Sequence, residues 1–464
     1  MRRSPGRAAF VVGVAGLGLV GAFALLRPLA SAGPYYGPRS HSSGYSYTWF
    51  LLAAFPAYAL ALVTARREDG PALRTVLLAA AVLAAPLVFA PLIQSQDLYQ
   101  YLFYARMQLV HGANPYLVEP LAFAHDPWFG YLAWPRQLSV YGPLWSLAMA
   151  GVVRISGASL VHAMLLAKGL ALGLGALAVW GLVRLAEDGR AAARLAPSAV
   201  AAFALNPLVL STVALSGHAD AGVAAAIVWA MVADRRGRTG VSALLLGAAR
   251  LVKAYAGFAL VAYLIAIVRR DGAPAGARSA IGPVALAVIT FAPYWRGIRT
   301  LTGVAQVAGH VSSSLAGVVA RTASDALGPL GVPDASGVAL AAVRVAGALA
   351  VLAVLVRVVR RPPAGDPWEG VMAVMVAYLL VTPWFLPWHA LGALAVACAM
   401  LGSPLAWPTV VFSGSCLPSI GAPGLVGPVA TAVVRYGSPA LVFVRGRTQS
   451  RGSRGSAPRP QGSR

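Results

Sequence analysis

Long apolar blocks constrain this chain more than any other feature. Residues 76–93, 165–182 and 338–356 are apolar almost throughout, and in the second Lys168 interrupts the run. Each approaches the roughly 20 residues that carry a helix across a bilayer core. Soluble helices of that length alternate apolar and polar faces, and these do not. Only 11% of the 464 residues are charged and mean hydropathy is +0.71, against about a quarter charged in a soluble domain. The expectation is an all-α, polytopic transmembrane bundle of about 12–14 spans.

A net charge of +23 raises the question of nucleic acid, which the placement of the charge answers. Lys168 and Lys253 are the two lysines; every other basic residue apart from histidine is arginine. The arginines fall in short loops between apolar blocks, for example Arg66, Arg67 and Arg74, then Arg235, Arg236 and Arg238, then Arg357, Arg360 and Arg361. A nucleic-acid protein gathers them on one soluble surface. Distributed this way they act as topology signals, marking the cytoplasmic face. No nucleic-acid partner is expected.

With these loops inside, residues 1–444 form one transmembrane domain with two long outer segments, about 94–141 and 294–337. Residues 445–464, rich in Arg, Gly, Ser and Pro, are expected as a disordered basic cytoplasmic tail near anionic lipid. The N-terminal run 8–26, ahead of Ala30-Ser31-Ala32, imitates a signal peptide but is long enough to be a retained helix. Residues 140–155 read as a re-entrant or membrane-surface helix. Aromatics of the first outer segment, including Tyr99, Tyr101, Tyr104, Tyr116, Trp128 and Trp134, suit an interfacial belt. Cys398 and Cys416 lie in apolar blocks and read as small hydrophobes.

The 14 acidic residues can be placed individually. Glu68, Asp69, Glu187, Asp188, Asp234, Asp271, Asp366 and Glu369 share the arginine loops, where solvated ion pairing accounts for them. Six lie toward the outside: Asp97, Glu119, Asp126, Asp220, Asp325 and Asp334. Of these, Asp97 and Asp220 sit at the ends of apolar helices, where ionisable groups are costly and tend to be functional. Capping of a following helix is the plainer role for both. Lys253 lies between two short apolar runs, where it can snorkel or serve as a point charge for a phosphate. Lys168 has no loop to reach and is expected to pair internally. His218 and His389 join this same outer face.

Several of these stretches resemble a known family. Ser95-Gln96-Asp97-Leu98-Tyr99-Gln100-Tyr101, His111-Gly112-Ala113-Asn114-Pro115-Tyr116 and Tyr141-Gly142-Pro143-Leu144-Trp145 are similar to the first-loop pattern of actinobacterial polyprenol-phosphate-mannose-dependent mannosyltransferases. These have the GT-C fold, and the nearest likeness is to the α-1,6-mannosyltransferases of lipomannan assembly. Gly217-His218-Ala219-Asp220-Ala221, Lys253, Pro383-Trp384 and Pro387-Trp388 follow in the family's order. Ala219 stands where the family usually has Asn.

The resemblance implies a lipid-phosphate-linked sugar donor, a glycolipid or glycan acceptor, and an active site on the extracytoplasmic face of a bacterial plasma membrane. Lipid phosphate leaves readily, so the chemistry asks for a base near the acceptor hydroxyl and for fixed positive charge at the phosphate. Asp97 is the candidate base, and direct displacement inverts the anomeric centre. Lys253, followed by Arg250, Arg106 and His218, are the phosphate candidates. Tyr99, Tyr101 and Trp384 can stack on sugars, with Asn114, Tyr116, Tyr141, Asp220 and His389 as further sugar or acceptor contacts. No tight ligand spacing supports a metal, and neither a metal nor a cofactor is expected. A lipid transporter or flippase is the alternative function, and a non-catalytic assembly subunit a third.

Overall fold

The computed structural model describes residues 4–30, 44–92, 95–187, 190–312, 314–360, 366–417 and 423–455. Gln94, Asp188 and the Ser31-Ala32 pair therefore lie outside the described residues. Within them the chain is helical, with no strand beyond an isolated bridge between Arg296 and Ile298.

The first helices, α1 (Pro5–Ala30) and α2 (Gly44–Ala65), pack together along small residues. A Cβ on Gly13 would stand 2.8 Å from the Ala57 carbonyl, so glycine there permits the close approach favoured between membrane helices. Next, α3 (Leu73–Ala84) tightens into a 3₁₀ turn, Ala85–Phe89, where Pro86 enters. The carbonyls of Leu87 and Ala90 receive the Lys168 ammonium at 3.2 and 2.6 Å. Backbone carbonyls are thus the internal partner of this fully buried lysine.

Helix α4 (Asp97–Val110) opens the first outer segment, and α5 (Pro143–Ser156) closes it. At 14 residues α5 is about 21 Å long, shorter than a hydrocarbon core. Then come α6 (Leu160–Ala186) and α7 (Arg190–Ala204), the latter bent by 45° at Asn206-Pro207 into a single turn, α8 (Pro207–Val209), and a π-helical stretch, Leu210–Leu215. The centre of the bundle is α9 (Asp220–Arg235), enclosed by α6, α10 (Thr239–Val252) and, further on, α17. After α11 (Gly257–Asp271) and α12 (Ala273–Phe291), the second outer segment holds α13 (Thr302–Ala308) and α14 (Leu315–Leu327). The remaining helices are α15 (Ala335–Val359), α16 (Pro367–Val381), α17 (Leu391–Ala399), α18 (Ala406–Ser415) and α19 (Pro423–Gly455).

By length and apolarity, four described helices can cross a membrane, or five if the bent pair is one span; seven shorter apolar helices accompany them. The 12–14 spans expected from hydropathy resolve into this mixture because Pro86, Pro207 and Lys253 interrupt apolar stretches. The backbone of α19 runs on to Gly455, through the first eleven residues of the stretch expected as a tail.

The path alternates regularly. Helices α9, α11 and α15 end at Arg235, at Arg269 and Arg270, and at Arg357, whereas Asp220, Lys253 and Gly257 mark the opposite end. Most acids at the arginine end behave as expected, with Asp69 on Arg67 at 2.9 Å, Glu187 on Arg184 at 2.9 Å and Asp271 on Arg270 at 3.1 Å. Asp234 differs. Its carboxylate is nearly buried and accepts from the Tyr263 hydroxyl at 2.6 Å and the Trp368 indole at 2.9 Å, tying α9 to α11 and α16.

The aromatic belt also needs correction. Residues 98–105 of α4 are buried without a break, including Tyr99, Tyr101 and Tyr104, and so are Tyr116, Trp128 and Trp145. These rings are the core of a folded cap, not anchors at a lipid boundary. A helix buried on every side has little amphipathic signal, so its surroundings were hidden from the sequence.

Candidate active site

Three stretches remote in sequence meet above α9. The loop 133–141 is held to α4 by Tyr104 Oη donating to Gln137 O at 2.6 Å and Gln100 Nε2 donating to Trp134 O at 3.2 Å. The same loop reaches α13, where Gln137 Nε2 donates to Gln306 Oε1 at 2.9 Å. From the C-terminal part, the turn after α16 accepts at Pro383 O from Ser314 Oγ at 2.8 Å and from Ser312 N at 2.9 Å. Between them lies a cavity of about 530 Å³. Its polar wall includes Asp97, Tyr141, Lys253, His310, Arg344 and His389, and its aromatic wall Trp134, Tyr255, Tyr378, Trp384 and Trp388.

Asp97 is the first residue of α4, and its side chain keeps 13% exposure. Ahead of it, Gln96 occupies the cap position without a side-chain capping bond, and Ser95 Oγ accepts from Asp97 N at 3.1 Å. The carboxylate is therefore not spent on closing the helix. Burial holds it above the usual carboxylate range, only partly opposed by Lys253, Ser95 and Tyr141. Tyr141 is itself kept well above the ordinary phenol pKa by burial and by the Asp97 charge, so it meets Asp97 as a neutral phenol.

Behind this carboxylate stands His218, fully buried and stacked on Trp388 at 4.2 Å between centroids. Its Nδ1 lies 3.2 Å from Tyr101 Oη and 3.7 Å from Asp97 Oδ2. His218 thus braces Asp97 from the protein side and does not line the cavity. Asp220, at the head of α9, takes Lys253 Nζ at 2.6 Å and Tyr255 Oη at 2.7 Å. Gly142 N donates to Val252 O at 3.0 Å, and a Cβ on Gly142 would collide with the Leu251 carbonyl. Glycine is required there for the loop to lie against α10 and bring Tyr141 within 5.9 Å of the Lys253 ammonium.

Of the residues singled out in the sequence, Asp97, Tyr141, Lys253, Trp384 and His389 line the cavity, with Asp220, His218 and Tyr101 directly behind. The others are placed elsewhere. Arg106 is bound through Nε to both Asp126 oxygens at 2.8 and 2.7 Å and stacks on Trp128, while His111 adds a bond to Asp126 at 2.8 Å. Burial raises the proton affinity of Asp126, but the Trp128 N–H, Arg106 and His111 together bring it below the usual range. Arg106 is therefore held in an ion pair within the cap and does not line the cavity. Arg250 is exposed outside the cavity, its side chain lying against Gly257. Tyr99 packs on Tyr131 at 5.2 Å. Asn114 shapes a turn, accepting from Tyr116 N at 3.0 Å and donating to Tyr294 O at 2.8 Å. Tyr116 donates to Tyr141 O at 2.7 Å and so sets the loop, not the substrate surface.

Sequence reasoning missed Tyr255, His310 and Arg344. Arg344 carried a signal, a lone arginine inside the apolar block 338–356. Among the described residues no group of three His, Cys, Asp or Glu side chains is placed to hold a metal.

The fold is that of a polytopic helical membrane protein, with a carboxylate-bearing, aromatic-walled cavity at one end. The match that identifies it is to the family of the alpha-(1->6)-mannopyranosyltransferase N-terminal domain, over residues 6–269. That is more than half the chain, and the protein belongs to this mannosyltransferase family. No curated protein and no solved structure gave a significant match. Asp97, His218, Asp220, Lys253 and Tyr255 fall inside the matched region; His310, Arg344, Trp384 and His389 fall outside it.

Proposed function

We propose that the protein moves mannose from a polyprenyl-phosphate carrier to a hydroxyl of a glycolipid or glycan acceptor, inverting the anomeric centre, on the extracytoplasmic side of a bacterial plasma membrane. The observation that carries this reading is Asp97, a partly exposed carboxylate of raised proton affinity on the wall of an aromatic cavity.

In the proposed reaction the acceptor oxygen attacks the anomeric carbon while Asp97 takes its proton. The bond from that carbon to the phosphate oxygen breaks, and the lipid phosphate departs with the electron pair. A positioned base contributes about 10²–10⁴-fold. Its raised proton affinity suits Asp97 to that work. Inversion is favoured because the other nearby carboxylate, Asp220, is fully buried and occupied by Lys253 and Tyr255. A double displacement would need a second free carboxylate as nucleophile. Sidedness rests on the helix ends, since the cavity lies opposite the arginine-bearing turns that the positive-inside rule assigns to the cytoplasm.

The deciding experiment supplies purified protein in lipid with labelled polyprenyl-phosphate-mannose and a mannosylated glycolipid. Label appearing in a longer glycolipid through an α-linkage supports the reading. Movement of the donor between leaflets with no covalent product would replace it with the transporter reading.

A further inference from the structure

Lys253 is the cation that sequence position favours for the departing phosphate, but its charge is already matched. Asp220 holds its ammonium at 2.6 Å, and both side chains are almost without solvent contact. A neutralised pair offers an incoming anion little net attraction. A second cation of the cavity lining differs. Arg344 lies nine residues into α15, one of the long membrane helices, about 14 Å along its axis from the outer end. A guanidinium at such a depth is expensive, and proteins keep one there when it meets a specific partner. Among the described residues it has none: its Nη2 is buried, without a hydrogen bond, and Arg344 lines the cavity. His310, also in the cavity lining and with its ring centroid 5.1 Å from that of Trp384, has a buried Nδ1 that likewise lacks a partner among the described residues.

We infer that Arg344, assisted by His310, is the anchor for the phosphate of the lipid-linked sugar donor, and that the neutralised Lys253–Asp220 pair is a structural part of the lining. This assignment rests on the glycosyl-transfer reading given above. Guanidinium suits the task because its planar fork can hold two phosphate oxygens at once. The donor is a phosphodiester with one negative charge. When the bond to the sugar breaks, the leaving group becomes a phosphomonoester approaching two. Arg344 therefore faces more charge late in the reaction than early, and its attraction acts on the rate as well as on binding. The donor's sugar is then left to reach Asp97, which lines the same cavity.

The test uses Arg344→Gln, Arg344→Lys and His310→Gln with two readouts: steady-state transfer with donor and acceptor varied separately, and binding of unlabelled polyprenyl phosphate to the protein without turnover. Arg344→Gln should lower kcat/KM for the donor at least 30-fold and weaken polyprenyl-phosphate binding at least tenfold. Acceptor KM and binding of uncharged polyprenol should stay unchanged. Arg344→Lys should recover part of the loss, and His310→Gln should show a smaller loss in the same direction. Donor kinetics and product binding like wild type in Arg344→Gln overturn the assignment, as does a loss confined to acceptor KM. Wild-type protein that binds polyprenyl phosphate through Arg344 yet transfers no sugar would instead refute the reaction and leave the anion site standing.

Discussion

Replacing Asp97 with Asn separates catalysis from architecture, because the structure predicts a large loss of rate with little change in stability. The change keeps the shape and removes the charge. Loss of a positioned base should slow transfer about 10²–10⁴-fold, which corresponds to about 2.7–5.5 kcal/mol of barrier. Two small terms bear on stability. The carboxylate at the first position of α4 gains about 0.3–1 kcal/mol from the helix dipole, which Asn forfeits. Against that, burial already penalises the charged form, as its raised proton affinity records, and neutral Asn escapes the penalty. The two nearly cancel, leaving stability within about 1 kcal/mol of wild type. Single-turnover transfer of label, measured beside thermal inactivation in the same lipid, reads both quantities. Turnover within tenfold of wild type would remove Asp97 from the base role, and a large loss of stability would return it to an architectural one.

Acidification should silence Asp97 early. Protonation removes the base, so transfer should decline through a pH above the ordinary carboxylate range, while the same proton uptake adds stability because the folded state holds the proton more tightly than the unfolded chain; a rate independent of pH across that window would contradict this. Asp220→Asn strands a buried ammonium and should cost about 3–5 kcal/mol of stability, whereas Asp220→Leu combined with Lys253→Met should recover most of it in a thermal-inactivation assay; equal losses in single and double variants would refute the coupling. Arg106→Gln should lower stability by about 3–5 kcal/mol by leaving Asp126 half-partnered in the cap, with donor KM unchanged; a raised donor KM in a stable variant would restore Arg106 as a phosphate ligand.

The sequence exposed the parts of this site that depend on contrast. Asp97, Asp220 and Lys253 are ionisable residues bordering apolar runs, and the cost of such positions is readable from a single chain. Cys398 and Cys416, expected as small hydrophobes, are buried and unpaired with each other. Partnership was not readable. Arg106 resembles a ligand until Asp126, twenty residues on, is brought against it, and His218 resembles a phosphate contact until Trp388 covers its face. Helix boundaries were hidden for a local reason: hydropathy averages over Pro86 and Pro207, where the helix tightens to 3₁₀ and where it bends by 45°. Arg344 was overlooked through the same averaging, one charge diluted in a block of alanine, valine and leucine.

The size of the cavity has one more consequence. About 530 Å³ lies within the range that holds a single compact ligand. In the proposed reaction a donor's sugar head and the last sugar of an acceptor would share this space, and the rest of a glycan would stay outside it. On that proposal the enzyme would recognise ends and have no ruler, and wherever a product ends as its acceptor did, the decision to stop adding sugars would be made elsewhere.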